Sequence, residues 1–259
     1  MPVNFFASPV SLGLRSLEPA PYRFQRRLYS TPHSPKDSGA TNMRILYGLI
    51  GLNGAIFAYY QFCRLRLKQT TGNPTQFQAA ADSLRSFFVN FTLNLDIIKS
   101  GKFWTLLTST VTHIGTMHLL GNVLSFYFFG RLIAVTPGVA PSVFTSLCFG
   151  SAICGGLFSL FHKASKVVAR GGGPDTSYSH GFSGVVCGVG SAAAFMYPNT
   201  KFLIYGLIPA PLWLLMAGFF VYDGFYLNKE NQKVGHAAHL GGTFFGAAFY
   251  FLRLRGLKV

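Results

Sequence analysis

The chain has 259 residues, with 22 Lys and Arg against 7 Asp and Glu, a formal net charge of +15 and a mean hydropathy of +0.35. Only 11% of its residues are charged and 50% are hydrophobic, whereas soluble domains carry about 25% charged residues, so the composition excludes an ordinary soluble domain. The basic excess does not form a nucleic-acid-binding stripe either: the cations lie in the N-terminal tail, in the loops and at Arg253, Arg255 and Lys258, where membrane proteins place them. The expected partner is therefore the lipid bilayer and not nucleic acid.

In chain order, residues 1–42 come first, with Arg15, Arg23, Arg26, Arg27 and Lys36 against only Glu18 and Asp37. A secretory signal needs a continuous apolar core, which this segment lacks; an Arg-rich, Ser-rich, acid-poor leader suits a mitochondrial transit peptide. Arg27, three residues before a cut after Tyr29, resembles a mitochondrial processing site. Residues 43–259 then read as one membrane domain. Six stretches lack Asp, Glu, Lys and Arg: Ile45–Cys63, Phe103–Gly130, Leu132–His162, Thr176–Thr200, Phe202–Tyr222 and Val234–Leu252. Crossing about 30 Å of hydrocarbon takes roughly 20 helical residues, so an all-α protein with six transmembrane helices is expected. The connection 63–102 has an apolar middle, Leu84–Ile98, broken by Arg85 and Asp96, which fits a half-embedded loop. Cys63, Cys148, Cys154 and Cys187 have no CxxC spacing and read as small buried hydrophobes, with neither disulfide nor metal nor cofactor expected.

Polar groups inside a bilayer are costly and point to function, and three clusters stand out. His118 and Asn122 are four residues apart and share one helix face; His113 precedes them and is expected either to hydrogen-bond within the oxyanion region or, the favoured reading, to brace the same helix. Gly181-Phe182-Ser183-Gly184 opens the fourth span. His236-Ala-Ala-His239 and Gly242 lie in the sixth, with His236 read as structural or adjacent to substrate. A serine becomes a nucleophile when a base lies within about 2.6–3.2 Å to take its proton, so Ser183 and His239 require their two helices to touch. Gly184 with Gly188, and Gly242 with Gly246, are small-xxx-small pairs that permit that approach, and Gly181 is counted with them as a packing glycine. All seven acids fall outside the six stretches, with Asp223 at the border of one, so a Ser-His dyad is expected without an acidic third member. His118, Asn122 and the Ser183 backbone N–H are then the donors available for an oxyanion. A metalloprotease expects His-Glu-x-x-His, and no such glutamate stands beside His236 and His239.

His118-Leu-Leu-Gly-Asn122, Gly181-Phe-Ser183-Gly184 and Ala238-His239-Leu-Gly-Gly242-Thr-Phe-Phe-Gly246 together resemble the signatures of the rhomboid intramembrane proteases, in order and on the expected spans. Lys102-Phe-Trp104 and Ile208-Pro-Ala-Pro-Leu-Trp213 also look like the family, and the resemblance covers roughly residues 44–255. It implies a six-helix bundle with an embedded loop 1 and a lateral gate at the fifth helix. It implies Ser183 as nucleophile, His239 as general base and then acid, and an oxyanion site at His118, Asn122 and the Ser183 amide. With the leader, the resemblance implies a multi-pass endopeptidase of the mitochondrial inner membrane that cleaves transmembrane segments of other proteins; an inactive relative that only binds transmembrane clients is the alternative. Two positions depart from common family patterns. Thr105 follows Trp104 where many members have arginine, and Cys187 stands four residues after the serine where bacterial members often have tyrosine.

Overall fold

The computed structural model describes residues 35–204, 207–229 and 234–257. The expected transit peptide, with its cut after Tyr29, falls outside them. Helix α1 (Pro35–Gln69) leads into α2 (Pro74–Phe91), then α3 (Leu95–Lys99), α4 (Thr105–Thr108) and a 3-10 turn at Ser109–Val111. There follow α5 (Thr116–Ala134), α6 (Pro141–Ala169), α7 (Ser183–Met196), a hairpin of β1 (Lys201–Ile204) and β2 (Ile208–Pro211), α8 (Leu212–Tyr226) and α9 (His236–Phe249), which continues through a π turn at Tyr250–Leu254.

Among the described residues, three helices are long and apolar enough to cross a membrane: Ser38–Gln69, Thr116–Ala134 and Pro141–Ala169; Ser183–Met196 and Leu212–Tyr226 are shorter apolar helices. Several expected spans shrink accordingly. The second begins at Thr116 and not Phe103, because Thr105, Thr108 and Thr112 hydroxyls tie residues 102–112 into a turn-rich segment. The fourth begins at Ser183 and not Thr176, since the preceding segment carries Gly181 at φ +125. The fifth loses nearly its first half to the antiparallel hairpin, in which Lys201 pairs with Pro211 and Leu203 with Pro209. Proline disrupts a helix interior, so this apolar run cannot be one helix. At the other end, α1 already packs on the bundle before residue 43: the fully buried Asn42 donates to the carbonyls of Ala134 (3.1 Å), the last residue of α5, and Val139 (2.9 Å), in the turn that follows. Those carbonyls have no helical donor of their own.

Helix α7 is the axis of the bundle. Twelve of its fourteen residues are buried, Val185, Val189, Ala192 and Ala193 among Phe126, Phe129 and Ile133 of α5 and Phe144 and Leu147 of α6. Glycines set how near its neighbours come. A Cβ on Gly242 would overlap the Gly184 carbonyl, and one on Gly246 the Gly188 carbonyl. Gly155 of α6 joins the same junction: its Cβ would lie 2.9 Å from Ala238 O and 3.6 Å from Gly184 Cα. Gly184, Gly188, Gly242 and Gly246 all lie at this junction, whereas Gly181 precedes α7 and meets a side chain of α5.

A polar clasp holds the segment that leads into α7. Leu93 and Ser179 exchange both backbone hydrogen bonds, at 2.8 and 2.9 Å. Asn94 Nδ2 donates to the carbonyls of Asp175 (2.7 Å) and Ser177 (2.9 Å), while the Leu95 N–H donates to Asp175 Oδ2 at 3.0 Å. Lys163, 7% exposed, reaches in from α6 to donate to the Ser177 hydroxyl at 2.6 Å, and its Nζ is 3.8 Å from Asp175. Burial pushes the Asp175 carboxyl up, but hydrogen bonds from Leu95 and Ser177 and the charge of Lys163 outweigh it and hold it below the ordinary carboxylate range.

Candidate active site

Ser183 is the first residue of α7, so its N–H has no intrahelical acceptor. The turn before it is fixed from both sides. The Gly181 N–H donates to Ser109 O at 2.9 Å, and the Phe182 N–H donates to His113 Nε2 at 3.3 Å. His113 is fully buried; of the two readings the sequence offered, a brace for the second span or a hydrogen bond near the oxyanion site, the contact with the turn before Ser183 is nearer the second. At Gly181 a φ of +125 and the ring of His118, which would stand 2.8 Å from a Cβ, both require glycine.

The Ser183 Oγ lies 2.7 Å from His239 Nε2. Helices α7 and α9 thus bring together the two side chains on which the sequence reading depended. The expectation that no acid reaches this histidine is overturned. Asp223 sits inside α8, and its Oδ1 is 3.0 Å from His239 Nδ1 and 2.6 Å from His236 Nδ1. The carboxylate is 4% exposed and His236 3%. Neutral imidazole has one donor and one acceptor nitrogen, so one assignment fits all three contacts. Both Nδ1–H groups donate to Asp223, and His239 Nε2 is left to accept the serine proton. The carboxylate is tolerated there because two ring donors compensate its desolvation. The sequence held a signal for it: His236 and His239 fall three apart on one helix face, and Asp223 is the acid that directly follows the end of a charge-free stretch.

His118 and Asn122 line one cavity with Ser183, Asp223, His236 and His239, of about 1090 Å³. Asn122 Nδ2 donates to the His118 carbonyl at 2.7 Å, leaving the second amide hydrogen for another acceptor. The α5 pair therefore faces the serine from across the cavity, His118 through Gly181 and Asn122 one turn further on. A Ser-His-Asp line, a free helix-start amide and two facing side-chain donors can perform acyl transfer: proton removal, attack, and stabilisation of an oxyanion.

The model of the rhomboid domain family matches residues 100–256, which contain every one of these side chains. The chain belongs to the rhomboid family. It is 32% identical over 173 residues to RHOMBOID-like protein 12, mitochondrial, of Arabidopsis thaliana, covering 64% of this chain and 51% of that protein. It is 25% identical over 207 residues to Rhomboid protein 1, mitochondrial, of Saccharomyces cerevisiae, covering 79% and 52%. A shorter match, 32% over 83 residues, is to Rhomboid-like protein 16, chloroplastic, of Arabidopsis thaliana, covering 32% and 25%. This rhomboid spans about half the length of the two mitochondrial relatives. Its two departures from common family patterns acquire physical content. Thr105 is fully buried and donates to Lys102 O at 2.7 Å, while Lys102 Nζ lies 5.9 Å above the Trp104 ring. Cys187 is buried one turn beyond Ser183, beside His239 and Asp223.

Proposed function

We propose that this rhomboid is an intramembrane serine endopeptidase of the mitochondrial inner membrane, cleaving transmembrane segments of other proteins. The observation that carries the reading is the 2.7 Å contact of Ser183 Oγ with His239 Nε2 between two apolar helices. In this reading α1, α5, α6, α7, α8 and α9 are six crossings, the last three short because the site lies at the bottom of a wet cavity. The α2–α4 connection is half-embedded, where α2 buries only Ala80 and Phe87. A substrate segment enters beside α8 and unwinds locally, since a helix has no backbone carbonyl free for attack.

Ser183 Oγ then attacks the scissile carbonyl carbon as its proton passes to His239 Nε2. Asp223 holds Nδ1–H and stabilises the imidazolium that results. The Ser183 N–H, His118 and the unused Asn122 hydrogen stabilise the oxyanion. The C–N bond breaks as Nε2–H protonates the departing amine. Water admitted by the cavity repeats the sequence on the acyl-enzyme and regenerates the serine. Mitochondrial placement is supported by the leader composition and by the two mitochondrial relatives. The test is reconstitution in proteoliposomes with a helix-destabilised transmembrane substrate. Wild type should release two fragments while Ser183→Ala and His239→Ala fall to background. Equal cleavage by all three excludes the mechanism.

A further inference from the structure

Cys187 has no part in that chemistry, yet it stands four residues after the nucleophile on the same face of α7. Its sulfur, an Asp223 oxygen and a His239 ring nitrogen lie within 4.8 Å of one another, and all three residues line the cavity that holds Ser183. One thiol, one imidazole and one carboxylate form a mixed donor set that suits a borderline-soft divalent ion. Zinc holds sulfur at about 2.3 Å and nitrogen or oxygen at about 2.0–2.2 Å, which sets tetrahedral donors about 3.3–3.6 Å apart. The existing 3.0 Å between Asp223 Oδ1 and His239 Nδ1 is close to that spacing, so a side-chain adjustment of about 1 Å at Cys187 would close the site. Charge favours the same occupant: a thiolate and a carboxylate neutralise a divalent cation, so the filled site carries no net charge in low-dielectric surroundings.

We propose that Cys187, Asp223 and His239 form a reversible site for a thiophilic divalent cation such as zinc, and that the bound cation switches the protease off. The proton inventory explains the inhibition. Metal entering between Asp223 and His239 takes the Nδ1 lone pair, so the ring proton moves to Nε2, which can no longer accept the serine proton. Cys187 loses its own proton to cavity water as sulfur binds the metal, and one proton is released per cation. The inhibitory half rests on the protease reading; the binding half does not.

Two measurements on the full chain in proteoliposomes separate the halves. Cadmium added to Ser183→Ala protein should give one thiolate-to-metal charge-transfer band per chain, removed by EDTA and absent from the Ser183→Ala/Cys187→Ala double variant. Absence of the band from the parent, or its persistence in the double variant, overturns the site. Buffered zinc should inhibit wild-type cleavage reversibly. The half-inhibiting concentration should drop by about tenfold per pH unit for the one proton released, and rise at least tenfold in Cys187→Ala relative to that variant's own metal-free rate. Should Cys187→Ala fold poorly, Cys187→Ser removes the soft donor at nearly constant volume and carries the same expectation. Inhibition at one zinc concentration in wild type and cysteine variants alike, or a cadmium band without zinc inhibition, overturns the switch.

Discussion

Asp223 decides how much the histidine can do. Its Oδ1 fixes Nδ1 of His239 at 3.0 Å while Nε2 faces Ser183 at 2.7 Å. Asp223→Asn would present an amide of the same shape with half the acceptor capacity and no charge to stabilise an imidazolium. We expect kcat to fall by about 10²–10⁴, in line with general-base losses, with KM changed less than threefold on a transmembrane substrate. A KM rise with kcat intact would instead make Asp223 a binding or packing residue. His236→Phe removes only the second donor, so a loss within about tenfold is expected. The Ser183–His239 approach was legible because both residues stand beside glycines at helical spacing, which let their two helices touch. Asp223 was hidden by the rule that found the spans. Treating any charge as a span boundary ended the fifth charge-free stretch at Tyr222, one residue before the carboxylate that two imidazoles solvate.

At the scale of the element, the α6–α7–α9 junction is backbone against backbone, and side chains cannot yield there. Gly246→Val drives a branched Cβ into the Gly188 carbonyl, so we expect a loss of stability of about 3 kcal/mol or more and no cleavage. Gly51→Ala in α1, which meets nothing within 4 Å, should leave both unchanged. The melting temperatures of the two variants in the same detergent check the contrast. The clasp on the α7 entry is pH-dependent in a definite direction. Because Asp175 is held below the ordinary carboxylate value, about 3.9, its contribution is complete above that pH and fades as pH falls through the lowered pKa. Asp175→Asn should therefore melt lower than wild type at neutral pH, with the gap closing in acid. Gly242 and Gly246 announced their packing role in the sequence because only close helices need paired small residues. The clasp did not, since its partners are some 80 positions apart. Nor did the hairpin before α8, whose charge-free run masked what Pro209 and Pro211 forbid.

The whole molecule is unevenly held together, and that asymmetry has a functional consequence. Helix α7 buries twelve of its fourteen residues, whereas α8 buries only Leu212, Met216 and Asp223 of fifteen. Trp213, Phe219, Val221 and Phe225 of α8 remain exposed, as a lipid-facing surface would. One side of the cavity is thus closed by a helix attached to the core at three points, two near its ends. Met216 is the middle point: its sulfur would lie 2.9 Å from a Cβ on Gly190, and it also lines the cavity. Weakly packed elements are the ones that move at low free-energy cost, and a transmembrane substrate too large to pass through the loops has to displace one of them. Met216→Ala should therefore raise kcat/KM for a transmembrane substrate several-fold by loosening α8, at a cost of about 2 kcal/mol of stability. In the protease reading a short soluble peptide has no transmembrane segment to pass beside α8, so its cleavage rate should change less than twofold. If both substrates gain or lose alike, entry does not pass beside α8 and the cavity is filled from another side.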